Sequence, residues 1–161
     1  MEVLESLFEL DAERGVLIRK HSRASHKAGE VCGTKMESGH LQTFVNGKRY
    51  LVHRIIYFMA TGVDPLEYAV DHINGDPQDN SIDNLRLATK RENSRHKVKL
   101  SVNNTSGYRN VSWSKTFNCW LVSITANGKR IQHKFKDLID AAKAAQELRS
   151  KYYGEFCGTV A

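Results

Sequence analysis

Apolar positions along this chain fall mostly in short alternating runs, and the longer helical periodicities come late. Gly15-Val16-Leu17-Ile18 reads as a strand, and Leu41 to Val45 and Lys48 to Val52 read as two more. The last two flank Asn46-Gly47, a hairpin signal because both central positions need positive φ. From His53 to Ala60 the apolar Ile55, Ile56, Phe58 and Met59 predict a short helix, closed by Gly62 just beyond its end. Arg19 to Ser38 is polar, basic and Gly-containing, and reads as loop. Two short strands, Tyr68-Ala69-Val70 and Leu85-Arg86-Leu87, then bracket a polar segment. Thr89 and Glu92 form a T-x-x-E capping box, which predicts a helix from about Lys90 to beyond His96. Val98 to Ser106, rich in Asn, Ser and Thr, reads as a linker. Three strands follow, Tyr108 to Ser112, Trp120 to Thr125 and Arg130 to Phe135, with Asn127-Gly128 as a second hairpin turn. Asp137 caps a helix from Leu138 to about Tyr153, whose Leu138, Ala141, Ala142, Ala145, Leu148 and Tyr152 recur at helical spacing before Gly154.

These elements make an α+β chain in two parts. Residues 1–97 hold N-terminal β-hairpins and a strand–strand–helix unit over 68–97, 98–106 connect, and 107–161 hold a three-stranded antiparallel sheet packed on one helix. At 161 residues neither part can bury a large core. No apolar run approaches the roughly 18 residues that span a bilayer, and no signal-peptide pattern opens the chain, so the expectation is an intracellular protein with no membrane partner. The glycosylation-like tripeptides at Asn103, Asn104 and Asn110 carry no meaning without a secretory signal. Cys32, Cys119 and Cys157 are dispersed and odd in number, which argues against a disulfide framework or a structural zinc.

Charge sharpens the picture. The net charge is +6, but residues 61–96 carry seven acidic groups against four basic, while residues 97–136 carry eight basic groups and no acid. Forty residues without a carboxylate, with aromatics interleaved, suit a phosphate-binding surface next to an acid-bearing block.

The block 69–97, AVDHINGDPQDNSIDNLRLATKRENSRHK, concentrates the chemistry. Asp71 and His72 end an apolar strand, and Asn93 lies in the first turn of the helix after the second strand. Hydrolysis of a phosphodiester needs a water activated near neutral pH and charge neutralisation on the departing oxygen. A hard dication such as Mg2+ or Mn2+ takes oxygen ligands of the kind Asp71 and Asn93 offer. His72 titrates in the range of a general base, and Asn84 can brace the intervening loop through side-chain to backbone bonds. A calcium loop starting at Asp76 or Asp79 is excluded, because its third position would be Gln78 or Ser81. His53 reads as a packing or capping group. His96 is one turn beyond Asn93 and could face the phosphate, and Arg86, Arg91 and Arg95 are either phosphate clamps or solvated helix charges.

Residues from roughly Lys48 to Lys97 resemble the HNH endonucleases of the phage and intron-encoded homing type, whose ββα-metal core places Asn as the third letter. The resemblance implies that Asp71 and Asn93 bind one divalent metal per chain, that His72 is the general base and that Asn84 is structural. Residues 105–156 resemble the Apetala-type DNA-binding domain, through SGYRNVSW, the W-x-V-x-I strand, NGKR and the Ala-Ala helix ending in YYG. In that family the sheet enters the DNA major groove. The resemblance then implies base contact by Arg109 and by Lys129 or Arg130, and backbone or sugar contact by Trp113, Lys115 and Trp120, with core packing the alternative for Trp120. Ser112, Ser123 and Thr125 stand where charged residues are usual, which implies looser specificity and affinity drawn from phosphates.

The resulting expectation is a site-directed DNA endonuclease, yielding a 5′ phosphate and 3′ hydroxyl and nicking one strand as a monomer or weak dimer. The alternatives are a non-catalytic DNA-binding regulator and a nuclease acting on junctions or RNA. If phage-encoded, the protein would act in the host cytoplasm.

Overall fold

The computed structural model describes residues 2–23, 26–97 and 100–158. The fold is mixed α+β, built of small sheets and few helices, and it divides into two compact units, Met1–Lys90 and Arg91–Ala161. The division falls after Lys90, earlier than the end at 97 expected from the sequence. The first two residues of the expected linker, Val98 and Lys99, lie outside the described residues.

The first unit opens with a helix and hairpin that the sequence reading passed over: α1 (Glu2–Leu7), β1 (Phe8–Asp11) and β2 (Val16–Arg19). The β1–β2 pairing is antiparallel, with Phe8 opposite Arg19. Thr34–Lys35 (β3), Leu41–Val45 (β4) and Lys48–Leu51 (β5) form a three-stranded antiparallel sheet. Asn46 and Gly47 take φ of 49° and 77°, the mirror-image turn that matches strand twist. Helix α2 (Val52–Thr61) packs its Val52, Ile55 and Ile56 face into a core with Phe8, Leu17, Cys32, Val45, Val70 and Leu85. It stops at Gly62, whose left-handed backbone lets its N–H reach the Phe58 carbonyl at 2.9 Å. Burying this set removes apolar surface at roughly 25 cal/mol per Å2, which fixes α2 against the sheets although no side chain caps its N-terminus.

Val70 and Leu85 in that core belong to β6 (Ala69–His72) and β7 (Leu85–Ala88), which pair antiparallel with Asp71 opposite Arg86 and His72 opposite Leu85. A short 3-10 turn at Ile82–Asn84 leads into β7. Arg54 on α2 donates to the carbonyls of Leu66 and Tyr68, at 2.8 and 2.7 Å, and so ties down the segment entering β6.

Helix α3 (Lys90–Arg95) starts where the capping box predicts and ends one residue before His96. The rest of the second unit is β8 (Val111–Ser114), β9 (Cys119–Ala126), β10 (Lys129–Phe135) and α4 (Leu138–Tyr153). The strands form one antiparallel sheet in the order β10-β9-β8. Asp137 caps α4 by accepting from the N–H groups of Ile139 and Asp140, at 2.8 and 3.1 Å. Ala141 and Ala145 let the helix sit close over Val111 and Val122, with Trp120, Phe135, Leu138 and Leu148 around them.

Candidate active site

The candidate residues of the first unit are held by one polar loop. Asn84 is buried at the end of the 3-10 turn, and its side chain bonds in three directions. It accepts from the Asn74 N–H at 3.0 Å and donates to the Asp79 carbonyl at 2.7 Å and to Asn74 Oδ1 at 3.0 Å. The Ile73 N–H bonds back to the Asn84 carbonyl at 2.8 Å, so the loop is cinched at its base. Asp79 takes the Ser81 hydroxyl at 2.6 Å and the Asn74 amide at 2.7 Å. The Ser81 hydrogen bond, first among several, holds the Asp79 carboxyl below its usual range.

A second anchor comes from far up the chain. The Ala12 carbonyl accepts from the Ile82 N–H at 3.0 Å, and Gly15 sits at φ +62° against the Asn80–Ser81 backbone. A side chain at Gly15 would collide with the Asn80 carbonyl carbon and oxygen and with the Ser81 nitrogen. Gly15 is thus required twice, for its backbone conformation and for this close approach.

His72 is buried at the end of β6, and Asn80 Oδ1 lies 2.8 Å from its Nε2. A carbonyl oxygen only accepts, so Nε2 carries the ring proton and the lone pair resides on Nδ1. The ring packs edge-on against His53, at 4.9 Å between centroids, and lies 5.6 Å from His40. Burial, with His72, His40 and Arg54 adding to it, pushes the His53 imidazole down to about 3. His40 is lowered as well, by burial and then by His72. Asp71, also buried, alternates to the other side of the strand and meets its register partner. Arg86 Nε donates to Asp71 Oδ2 at 3.0 Å, and Nη2 is 2.9 Å from the same oxygen.

Asp71, His72 and Asn84 are therefore gathered in one unit, while Asn93 stands exposed on α3 in the other. Sequence reasoning left Arg86 as a clamp or a solvated charge, and it is instead the ion partner of Asp71. Asn80 and His40 were missed. For Asn80 the only signal was its place in a loop crowded with Asn and Asp. Arg86 was findable, since an antiparallel register that ends at His72 and Leu85 sets it opposite Asp71.

In the second unit the register sorts the DNA-contact candidates. Trp120, Val122, Phe135 and Val111 face α4, so Ser112, Ser123, Thr125, Arg130, Gln132 and Lys134 share the opposite, open face. Arg130 is on that face and Lys129 is not, which separates the two. Arg130 Nε donates to Ser123 Oγ at 2.9 Å, and Lys134 Nζ sits 3.4 Å over the Phe117 ring. Trp113 pairs with Trp120 edge-on at 5.1 Å on the helix side, where Trp120 joins the core, and Lys115 is exposed in the β8–β9 turn. Arg109 turns inward: it donates to the Arg95 carbonyl at 2.7 Å and reaches the Cys157 carbonyl at 3.5 Å. Its own carbonyl accepts from Arg149 at 3.0 Å. A guanidinium spent on two backbone carbonyls in this way is an anchor, so the base contact expected of Arg109 is not the role this placement gives it. Arg95 stacks on the Tyr153 ring at 4.6 Å, and His96 is buried.

A buried acid beside a neighbouring imidazole, on a two-strand hairpin followed by a helix, defines a class of phosphodiester-cleaving site. The family model described as HNH endonuclease matches residues 50–95. Protein 3.8 of Escherichia phage T7 is 36% identical over 104 residues, which cover 65% of this chain and 85% of that protein. The uncharacterized HNH endonuclease L560 of Acanthamoeba polyphaga mimivirus is 35% identical over 124 residues, 74% of this chain and 62% of that protein. A solved structure, "DNA binding and cleavage by the HNH homing endonuclease I-HmuI", aligns with a TM-score of 0.43 at 19% identity, over 86% of this chain and 76% of that one. Residues 50–95 form an HNH endonuclease domain, and the chain is a DNA-cleaving enzyme. The chain belongs to one family with phage T7 Protein 3.8.

HNH nucleases generally depend on a divalent metal. The donor chemistry here fits a hard dication. Asp71 offers a buried carboxylate, and Arg86 on one of its oxygens offsets part of its charge.

Proposed function

We propose that this protein is a metal-dependent, site-directed endonuclease of the homing type that nicks one strand of double-stranded DNA. The observation that carries the reading is His72, buried at a strand end with its Nε2 proton fixed by Asn80 and a loop braced by Asn84. Asp71 would hold the cation, Mg2+ or Mn2+, one per chain, and Asn93 is the second ligand that the family resemblance implies. Bound there, it would supply Lewis-acid neutralisation of the charge that builds on the phosphoryl group and the departing 3′ oxygen. His72 Nδ1 takes the proton of the attacking water, and the resulting imidazolium keeps its Nε2–H bond to Asn80. General-base help of this kind is worth about 10²–10⁴-fold. Arg86 holds the Asp71 carboxylate in one orientation by gripping Oδ2. Water attacks phosphorus in line with the 3′ oxygen, so the products are a 5′ phosphate and a 3′ hydroxyl. One base per chain acts on one strand, which makes a nick the product of a monomer.

Targeting falls to the second unit, read as an Apetala-type domain. Its open sheet face presents Arg130, Gln132 and Lys134, and a twisted antiparallel sheet fits the major groove. Lys115 and Lys129 add phosphate contacts from the turns, while Trp113, paired with Trp120 on the helix side, does not share the open face. With few arginines on that face, affinity comes from phosphates and specificity is loose. No helix among the described residues is long and apolar enough to cross a membrane. We place the protein in the cytoplasm of its host cell.

The test is supercoiled plasmid incubated with the purified protein in Mg2+, Mn2+ or EDTA, beside His72→Ala. Conversion to open circle by the wild type alone, and only with metal, is the expected result. Equal activity of His72→Ala would remove the base assignment, cleavage in EDTA would remove the metal, and binding without conversion on many DNAs would leave a regulator.

A further inference from the structure

The mechanism uses one histidine of the first unit, yet three are packed together. One ring nitrogen from each of His40, His53 and His72 lies within 4.8 Å of its counterparts in the other two. The three rings belong to distant pieces of chain: the loop before β4, the first turn of α2 and the end of β6. Apolar packing alone does not explain the set. Nδ1 of His53 is buried with no hydrogen-bond partner, a position an apolar residue would fill better. Nor is the cluster a charge network, since burial and then His72 disfavour a proton on both His40 and His53. Neutral imidazoles turned toward one another are what a metal collects.

The outer bonds fit this as well. His40 Nδ1 is 3.1 Å from Ser38 Oγ, and His72 Nε2 is 2.8 Å from Asn80 Oδ1. Each fixes a ring by one nitrogen and leaves the opposite nitrogen as the donor, as outer partners do for metal-bound histidines. His53 is held by burial in α2, and His40 is half-buried at the edge of the group.

We propose that His40, His53 and His72 form a second cation site that takes a borderline transition-metal ion such as Zn2+. By binding the general base, the ion switches the nuclease off. Three imidazole nitrogens suit Zn2+, Co2+, Ni2+ or Cu2+ and are poor ligands for Mg2+, so this site and the oxygen site divide the cations by chemistry. Tetrahedral zinc bonds of about 2.0–2.1 Å place ligand nitrogens about 3.3 Å apart, so separations of up to 4.8 Å close by as much as about 1.5 Å. The inhibitory half of the proposal rests on His72 as general base, whereas the binding half does not.

The probe is Co2+, titrated into the full chain at neutral pH and followed by its visible ligand-field bands, with Zn2+ measured by displacement. One ion per chain with tetrahedral-type bands is expected. Asp71→Asn should keep those bands, and His40→Ala should lose them with at least tenfold weaker Zn2+ binding. His53→Gln, which keeps the packed volume, repeats the loss at the second ligand. In the plasmid assay with Mg2+, equimolar Zn2+ should suppress wild-type nicking, while His40→Ala, scaled to its own zinc-free rate, should need at least tenfold more. Absent bands, or equal Zn2+ affinity in His40→Ala, overturns the site. Binding without inhibition keeps the site and overturns the role of His72.

Discussion

Removing the Asn80 side chain should slow cleavage without weakening DNA binding, and the structure sets the size of the effect. Asn80 is 1% exposed, and its Oδ1 accepts the hydrogen bond of His72 Nε2–H at 2.8 Å. In Asn80→Ala the imidazole N–H is left in a buried site without an acceptor, at a cost of about 1–3 kcal/mol in stability. The same change releases the ring proton. A bond worth about 1–1.5 kcal/mol separates the two tautomers by about tenfold, and its loss lets Nδ1 carry hydrogen for much of the time. Loss of ring orientation adds a further factor. The rate constant should therefore fall about 10–100-fold, inside the full range of about 10²–10⁴ for a general base. The assay is single-turnover nicking of supercoiled plasmid at saturating protein, with binding read separately by gel shift and folding by thermal melting. Asn80→Asp keeps an acceptor at the same place and should restore most of the rate. Two results would refute the reasoning: a wild-type rate constant in Asn80→Ala, or an Asn80→Asp variant that folds normally yet is as slow as alanine.

Other consequences can be measured with similar tools. Gly15→Ala puts a side chain at φ +62° and into the Asn80–Ser81 backbone, so melting should drop by about 1–3 kcal/mol and nicking should fall with it. An unaltered nicking rate in a stable Gly15→Ala protein would detach the β1–β2 turn from the site. Arg130→Ala should lower the slope of log affinity against log salt by about 1 with little change in stability, whereas Arg109→Ala should destabilise the second unit by about 1–3 kcal/mol. The reverse pattern would return Arg109 to the DNA. For His53 the sign follows from an imidazole lowered from its ordinary value of 6.5 to about 3. The unfolded chain takes up a proton below pH 6.5 that the folded ring refuses until about pH 3, so stability is full above pH 6.5 and is lost as pH falls. Between pH 7.5 and 5 the loss is about 2 kcal/mol, and urea unfolding in EDTA should show it in the wild type and not in His53→Gln.

What could be read from the sequence and what could not divide along a physical line. The hairpin at Asn46-Gly47, the α2 stop at Gly62, the Asp137 cap and the Asp71–His72 pair all declare themselves locally, because turn geometry, capping and strand period depend on neighbours within a few residues. Asn84 was legible as a brace for the same reason, its partners Asn74 and Asp79 being in its own loop. Arg109 failed because a motif position says which residue type is present and not which carbonyls are near it. The Arg95 and Cys157 oxygens that hold it come from the opposite ends of the second unit. Phe8 and Leu10 escaped notice as a strand because β1 is short and gains its stability from pairing with β2 and packing under α2.

Asn80 shows the limit most sharply. It is one of six Asn and Asp residues between β6 and β7, of which only Asn80 and Asn84 are buried, and nothing in their order marks those two. Burial is imposed from outside, by a β1–β2 turn whose Gly15 lies against the Asn80 backbone and whose Ala12 carbonyl fixes Ile82. The tautomer of His72, the proposed base, thus depends on a glycine in another hairpin. A chain can keep every letter of its nuclease motif and still lose the base, if the turn that presses Asn80 onto His72 is changed.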